Sequence, residues 1–300
     1  MELRVLRYFL AVAREQSISA AAEALHLSQP TLSTQLKAME DELGKQLFIR
    51  RGKGARKVVL TEEGMLLRKR AEEILALVQK TEMEIQVSGS SIVGDVYIGA
   101  GETDIVRLFA RAAKAIQRKY PDIHYHLSSG NAEYVLESLD KGLIDFGLLY
   151  GVIDRSKYEA ITLPTADAFG VLMRKDAPIA EKSVITPEDL LDKPLIVSQQ
   201  EERDGWPVAA WMRRDIANLN IVATYNLIFN ASLMVDEGLG YAICFDKLIN
   251  TTGSTLCFRP LDPPIYATAH IVWKKYQVFS KAPAKFLEQL SSMAGFEPGN

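Results

Sequence analysis

Leu32, Leu36, Met39 and Leu43 recur at spacings of four, three and four. That period lays them along one stripe of an α-helix, so the segment Ser28–Leu43 is predicted to bury this stripe. The opposite side carries Pro30, Ser33, Thr34 and Lys37, which are short polar side chains, a proline and one cation. Ser28 stands where an N-cap is needed, and Pro30 falls in the first turn, where its missing N–H costs little. A lean polar face near a helix N-terminus can approach base edges in a DNA major groove, with Lys37 reaching a phosphate. An ordinary amphipathic surface helix carries the same pattern, so the flanking segments decide between the two.

Upstream, Leu3, Leu6, Leu10 and Ala13, widened by Phe9 and Val12, predict a helix over about residues 2–14. Ser17 or Ser19 caps a short second helix, ISAAAEAL, whose Ala21 and Ala22 let another helix pack close. Leu27-Ser28 is the turn into the third helix. Two helices joined by a tight turn, the second with a lean face, make a helix-turn-helix. Downstream, Phe48 can close the small core, and RRGKGARK at 50–57 holds five cations and no acid before Val58, Val59 and Leu60 return as a strand. A charge run is usually a solvated loop. Directly after a helix-turn-helix it reads better as a basic wing touching phosphates and the minor groove.

Thr61 caps a long helix with Glu62 and Glu63 in its first turn. Leu67, Ala71, Ile74, Val78, Thr81 and Ile85 alternate by four and three through to about residue 87, a heptad seam with one polar lapse. At about 1.5 Å per residue the helix is roughly 39 Å long. It is expected to have no domain of its own to cover the seam, and is read as a dimerisation helix and spacer. The segment Ser88-Gly89-Ser90-Ser91 then marks a linker.

From Val93 strands and helices alternate: DVYIGA, the helix before Pro121, IHYHL, the helix after SSGN, and IDFGLLY. A second set begins near Leu163 with AFGVLMRK and runs through PLIVS, PVAAWMRRDI, ATYNLIF, ASLMVDEGLG and YAICF to YATAHIVWKK and a last helix, APAKFLEQLSSM. This alternation predicts a mainly parallel sheet with helices on both faces.

Charge divides the chain in the same place. Residues 1–61 hold ten Lys or Arg against six Asp or Glu, net +4, while residues 91–300 hold 21 against 26, net −5. A basic module is joined to a larger acidic one. The 300 residues suffice for two or three domains. No apolar run approaches a membrane span, and the N-terminal segment reads as an amphipathic helix and not a secretory leader, so a cytoplasmic location is expected. Cys244 and Cys257 form no metal or CxxC pattern and read as buried thiols.

The first ninety residues resemble the winged helix-turn-helix and linker helix of LysR-type transcriptional regulators. The resemblance is carried by LRYFLAVAREQSISAAAEALHLSQPTLSTQLKAMEDELGKQLFIRR and by the LTEEG that opens the linker. It extends through GDVYIGAGET, DEGLGYAICF and AHIVWKK. It implies a mixed fold: a mainly α winged helix-turn-helix domain over 1–61, a linker and dimerisation helix over 62–90, and a two-lobed α/β effector domain over 91–300. The effector domain would resemble periplasmic binding proteins, with lobe I over about 91–162 and 266–300 and lobe II over about 163–265. The implied DNA-facing residues are Ser28, Gln29, Pro30, Thr31, Ser33, Thr34 and Lys37 on the third helix, with Arg50, Arg51 and Lys53 on the wing. Thr34 stands where many family members carry Arg. The implied partners are double-stranded promoter DNA, a small-molecule effector, a second copy in a homodimer that assembles into a homotetramer, and RNA polymerase, with no membrane. The seam residues Leu67, Ala71, Ile74, Val78 and Ile85 would form the dimer contact.

Ligands of open α/β sheets bind beyond the carboxyl ends of strands, beside helix N-termini. Four such places are legible: Gly101, Glu102 and Thr103; Ser129, Gly130 and Asn131; Ser198 and Gln199; and Asn230. Two fall in each lobe, and together they outline a cleft where the family places its inducer. Thr103 and Asn131 individually read as well as simple N-caps. Glu102 and Asp104 cut against a strongly anionic ligand and hint at a zwitterionic or neutral effector, or else complement a helix dipole. Arg107 and Arg203 are candidate carboxylate partners, with surface ion pairing as the plainer reading.

Catalysis is not expected. His124 and His126 share one strand face without a third ligand, and His26 and His270 are isolated. The chain has no phosphate loop with Lys, no nucleophile elbow and no carboxylate pair, and no metal or cofactor is expected. The reading is a ligand-responsive transcriptional regulator. The alternative is a solute-binding protein whose N-terminal helices serve only assembly, and the cations at 50–57 argue against it.

Overall fold

The structure, a computed structural model, describes residues 1–50, 57–86, 92–199, 207–214 and 218–295. The chain divides into two compact units, Met1–Ser88 and Gly89–Asn300.

The first unit contains α1 (Leu3–Glu15), α2 (Ile18–Ala24), α3 (Gln29–Leu43), β1 (Phe48–Arg50), β2 (Val58–Leu60) and α4 (Glu62–Gln86). Ser17 Oγ accepts the Ala20 N–H and starts α2, and Ala21 and Ala22 are buried where α2 meets its neighbours. Ser28 Oγ accepts the Thr31 N–H at 3.2 Å, and Gly44 ends α3 in the left-handed conformation. Leu32, Leu36 and Met39 pack into one core with Phe9, Val12 and Phe48, the two phenylalanine rings lying 5.1 Å apart. Burying a side chain such as Phe9 contributes about 1.5–3 kcal/mol. β1 and β2 pair antiparallel as the base of the wing. Glu40 accepts both the Leu47 and the Phe48 N–H, which fixes the chain's entry into β1. Thr61 Oγ1 accepts from Gly64 N at 2.9 Å and donates to the Gln46 carbonyl at 2.8 Å, so it caps α4 and ties it to the loop before the wing.

Three expectations are corrected here. Leu43 is 41% exposed, because the last turn of α3 runs past the edge of the core. The buried stripe of α1 is Val5, Leu6, Phe9, Ala11 and Val12, while Leu3 is exposed. The stripe is rotated because α1 must face both α3 and α4. The heptad seam of α4 is not left without a domain. Ala71 is fully buried in the winged-helix core, and Leu67 and Ile74 pack against it. Farther along, Val78 is partly covered and Ile85 is 67% exposed.

The second unit contains β3 (Gly94–Ala100), α5 (Val106–Gln117), β4 (Ile123–Ser129), α6 (Ala132–Asp140), β5 (Phe146–Tyr150), β6 (Tyr158–Arg174), α7 (Pro187–Leu190), β7 (Leu195–Ser198), α8 (Pro207–Met212), β8 (Ile221–Tyr225), α9 (Ile228–Asp236), β9 (Tyr241–Phe245), β10 (Leu256–Pro260), β11 (Tyr266–Lys274) and α10 (Lys281–Met293). Its strands run in the order β4-β3-β5-β11-β6-β9-β7-β8, with β10 on β6. β3, β4 and β5 are parallel to one another, as β8, β7 and β9 are, and the long strands β6 and β11 pair antiparallel between the two sets. Lobe I closes around Phe109, Phe146, Ile271 and Phe286. Lobe II closes around Val171, Leu195, Trp211 and Ile243 on one face and around Ile196, Ile228 and Val235 on the other. Along β6 the side chains pass from the first core at Leu163 to the second at Phe169. Along β11 they pass back between Ala267 and Ala269.

Candidate DNA-reading helix and inter-lobe site

On α3 the side chains opposite the core are uncovered: Gln29, Pro30, Thr31, Thr34 and Lys37 are exposed and Ser33 is half-buried. Ser28 and Thr31 share a hydrogen bond between hydroxyls at 2.7 Å. Thr34 Oγ1 donates to the Pro30 carbonyl at 2.9 Å, so its hydroxyl proton is used inside the helix and its methyl group and oxygen lone pairs remain. Arg50 closes β1, while Arg51 and Lys53 lie outside the described residues.

The second unit holds a half-open cavity of about 460 Å³ between its lobes. Gly101, Glu102 and Gly130 form its wall in lobe I, and Ser198, Tyr225, Asn226 and Ile228 form its wall in lobe II. The strands contribute Tyr150, Phe169, Phe245 and Tyr266, together with Thr268, His270 and Cys244. Tyr150 and Phe169 stand against Phe245 with ring centroids 4.9 and 4.7 Å away.

Of the residues expected here, Gly101, Glu102, Gly130 and Ser198 line the cavity. Thr103 is buried beside it and donates to Asp167 Oδ2 at 2.5 Å while accepting the Ile105 N–H. Tyr150 donates to the same carboxylate oxygen. Burial, then this hydrogen bond, pushes the Tyr150 phenol well above its ordinary pKa. Asn131 caps α6 by accepting the Tyr134 N–H. Ser129 is exposed at the end of β4, and Gln199 lies 3.5 Å from Thr224 Oγ1; neither lines the cavity.

Asn230 is misplaced by the sequence reading. α9 begins at Ile228, so Asn230 is an exposed residue inside the helix and the cavity wall is formed by Asn226 and Ile228. The helix starts early because its cap comes from the other lobe: the Glu102 carboxylate accepts the Ile228 N–H, and the N-cap residue Leu227 supplies no side-chain bond. Arg107 pairs with Asp104 at 2.5 Å on the surface, and Arg203 lies outside the described residues.

Sequence reasoning missed Asp167, Tyr150 and the aromatic wall. Burial and the nearby Arg155 cation lower the His270 pKa, which keeps the ring neutral near pH 7. Burial, then Asp246, pushes the Cys244 thiol up to about 12. His126 is held by Asp95 at 2.7 Å and stacks on Tyr97. Among the described residues no group of three or more His, Cys, Asp or Glu could hold a metal ion, and no helix is long and apolar enough to cross a membrane.

A reading helix joined to a two-lobed ligand-binding unit defines a class of effector-controlled DNA-binding proteins. The chain belongs to the LysR family of transcriptional regulators: residues 3–65 match the bacterial regulatory helix-turn-helix of the lysR family, and residues 90–294 match the LysR substrate binding domain. It is 27% identical over 301 residues to the uncharacterised HTH-type transcriptional regulator YvbU of Bacillus subtilis (strain 168), covering 99% of this chain and all of that one. It is 33% identical over 216 residues to the HTH-type transcriptional regulator TfdT of Cupriavidus pinatubonensis (strain JMP 134 / LMG 1197), covering 69% of this chain and 89% of the relative. Among solved structures it shares its fold with full-length CbnR complexed with its target DNA, at TM-score 0.77, 20% identity and coverage of 98% and 100%. The protein is therefore a ligand-responsive, DNA-binding transcriptional regulator, and a solute-binding protein with purely structural N-terminal helices is not favoured. The family is one of regulators and not of enzymes.

Proposed function

We propose that the protein works in the cytoplasm as a homodimer that assembles into a homotetramer on promoter DNA. In this reading α3 enters the major groove with Gln29, Pro30, Thr31, Ser33, Thr34 and Lys37, and Arg50, Arg51 and Lys53 of the wing contact phosphates. The exposed remainder of α4, ending in Ile85, supplies a dimer contact. A small molecule bound between Glu102, Gly130 and Ser198 changes how the lobes close, and thereby the spacing of the paired winged helices and the bend of the DNA. The effector needs no metal or cofactor, and RNA polymerase is the further partner that reads the outcome.

The observation that carries this reading is the uncovered polar face of α3, capped by Ser28, above a core that buries Leu32, Leu36 and Met39. Selection of duplexes from a random-sequence pool by the full-length protein tests it. The expected product is a pair of related half-sites about one helical turn or a multiple apart. Recovery of unenriched sequence, or of a single half-site by a monomer in sedimentation, contradicts it.

A further inference from the structure

The groups around the inter-lobe cavity are unevenly charged. Among the described residues that line it, Glu102 is a carboxylate and there is no Lys or Arg. Arg155, whose charge reaches the lining residue His270, donates to the Ala160 carbonyl and is not part of the wall.

Helix N-termini would ordinarily receive an anionic ligand in such a cleft. Here the chain uses part of that capacity itself. Thr103 Oγ1 takes the Ile105 N–H before α5, Asn131 Oδ1 takes the Tyr134 N–H of α6, and the Glu102 carboxylate takes the Ile228 N–H of α9. Behind the wall, Asp167 lies buried under the Tyr150 hydroxyl. Asp246 and Glu102 both act on Cys244, adding to burial in raising its pKa. A carboxylate entering the cavity would shed its hydration shell against like charges, with no Lys or Arg among the described lining residues to replace it.

A cation meets the opposite conditions. Glu102 spends Oε2 on Ile228, and no described residue engages Oε1. Tyr150, Phe169 and Phe245 cluster in the same wall, and aromatic faces attract an ammonium group while accepting its apolar body.

We propose that the cavity is an amine site: it takes a protonated amine on an aromatic or apolar body, with no carboxylate, and docks the ammonium on Glu102 Oε1 among the aromatic rings. The proposal rests on the reading of the cleft as the effector site.

The test is thermal unfolding of the full-length protein at pH 7 with 10 mM of three probes sharing one ring: 2-phenylethylamine, 2-phenylethanol and phenylacetate. Each is measured on the wild type, on Glu102→Gln, and on Thr268→Trp, which fills the cavity from β11. The amine is expected to raise Tm by about 2–4 °C if it binds at roughly ten times its Kd. The alcohol should raise it less and phenylacetate not at all. In Glu102→Gln the amine should lose its advantage over the alcohol, a comparison internal to the variant and independent of its stability. In Thr268→Trp all shifts should vanish. Phenylacetate matching or exceeding the amine, with the shift abolished by Thr268→Trp, would overturn the amine preference and leave the cleft as the effector site. Shifts that survive Thr268→Trp would overturn the placement of the site, and no amine shift in the wild type would overturn the proposal.

Discussion

The Glu102 carboxylate accepts the backbone N–H of Ile228, so a side chain of lobe I caps a helix of lobe II. The two residues are 126 positions apart, and the bond closes across the cavity they both line. It makes lobe closure partly a property of the chain itself.

Replacing Glu102 with Ala leaves the first turn of α9 uncapped, since Leu227 offers no side-chain substitute. The expected loss is about 0.5–2 kcal/mol, read by urea denaturation. Small-angle scattering should also report a larger radius of gyration. A variant as stable and as compact as the wild type would show that the bond does not hold the lobes.

Asp167 anchors the base of the same cavity. It is buried, and the hydroxyls of Thr103 and Tyr150 both donate to its Oδ2. Asp167→Ala strands the buried Thr103 donor and the half-buried Tyr150 donor, so stability should fall by about 1–4 kcal/mol. Asp167→Asn keeps an acceptor and should lose clearly less. Equal losses in the two variants would mean that packing, not the carboxylate's acceptor role, is what matters.

The two ends of α4 should behave differently. Ala71 is fully buried in the winged-helix core, so Ala71→Leu overpacks it and should cost about 1–3 kcal/mol in denaturation. Ile85 is exposed, so Ile85→Asp should leave that stability within about 0.5 kcal/mol. Analytical ultracentrifugation should instead find its self-association weakened. Unchanged association at Ile85 would remove this end of the helix from the dimer contact.

His270 sets a pH dependence. Burial, then the Arg155 cation, lowers its folded pKa from 6.5. The unfolded chain therefore binds the proton first. The stability owed to the neutral ring is present above about pH 6.5 and is lost as pH falls through the folded value. His270→Asn should flatten the stability curve in that window. An identical slope in wild type and variant would refute the assignment.

Local patterns were legible where local physics decided them. Ser28 as cap and Leu32, Leu36 and Met39 as the buried stripe follow from spacing alone, and Thr61 as the cap of α4 follows from its place before two acids. Periodicity shows that a stripe will be covered but not by what. Leu67, Ala71 and Ile74 looked like an intermolecular seam, yet they pack on the core of their own unit. The start of α9 was misread for a related reason. ATYNLIF looks like one strand because its cap, Glu102, is remote in sequence. The glycines of the cleft stood out, being at strand ends before helices. Tyr150, Phe169, Phe245 and Tyr266 did not, because they converge only once β6 and β11 cross between the lobes.

The most direct test of the account is the affinity of the full-length protein for its selected duplex as a function of salt, for the wild type, Lys37→Ala and Ser33→Ala. Lys37 is exposed on the outer face of α3 and Ser33 lies on the same helix nearer the cap. With Lys37 on a phosphate, Lys37→Ala should weaken binding to every sequence and reduce the salt slope by about 1. With Ser33 near base edges, Ser33→Ala should keep the slope and change which bases are preferred. Superimposable salt lines and identical preferences for all three proteins would contradict the assignment of α3 as the reading helix.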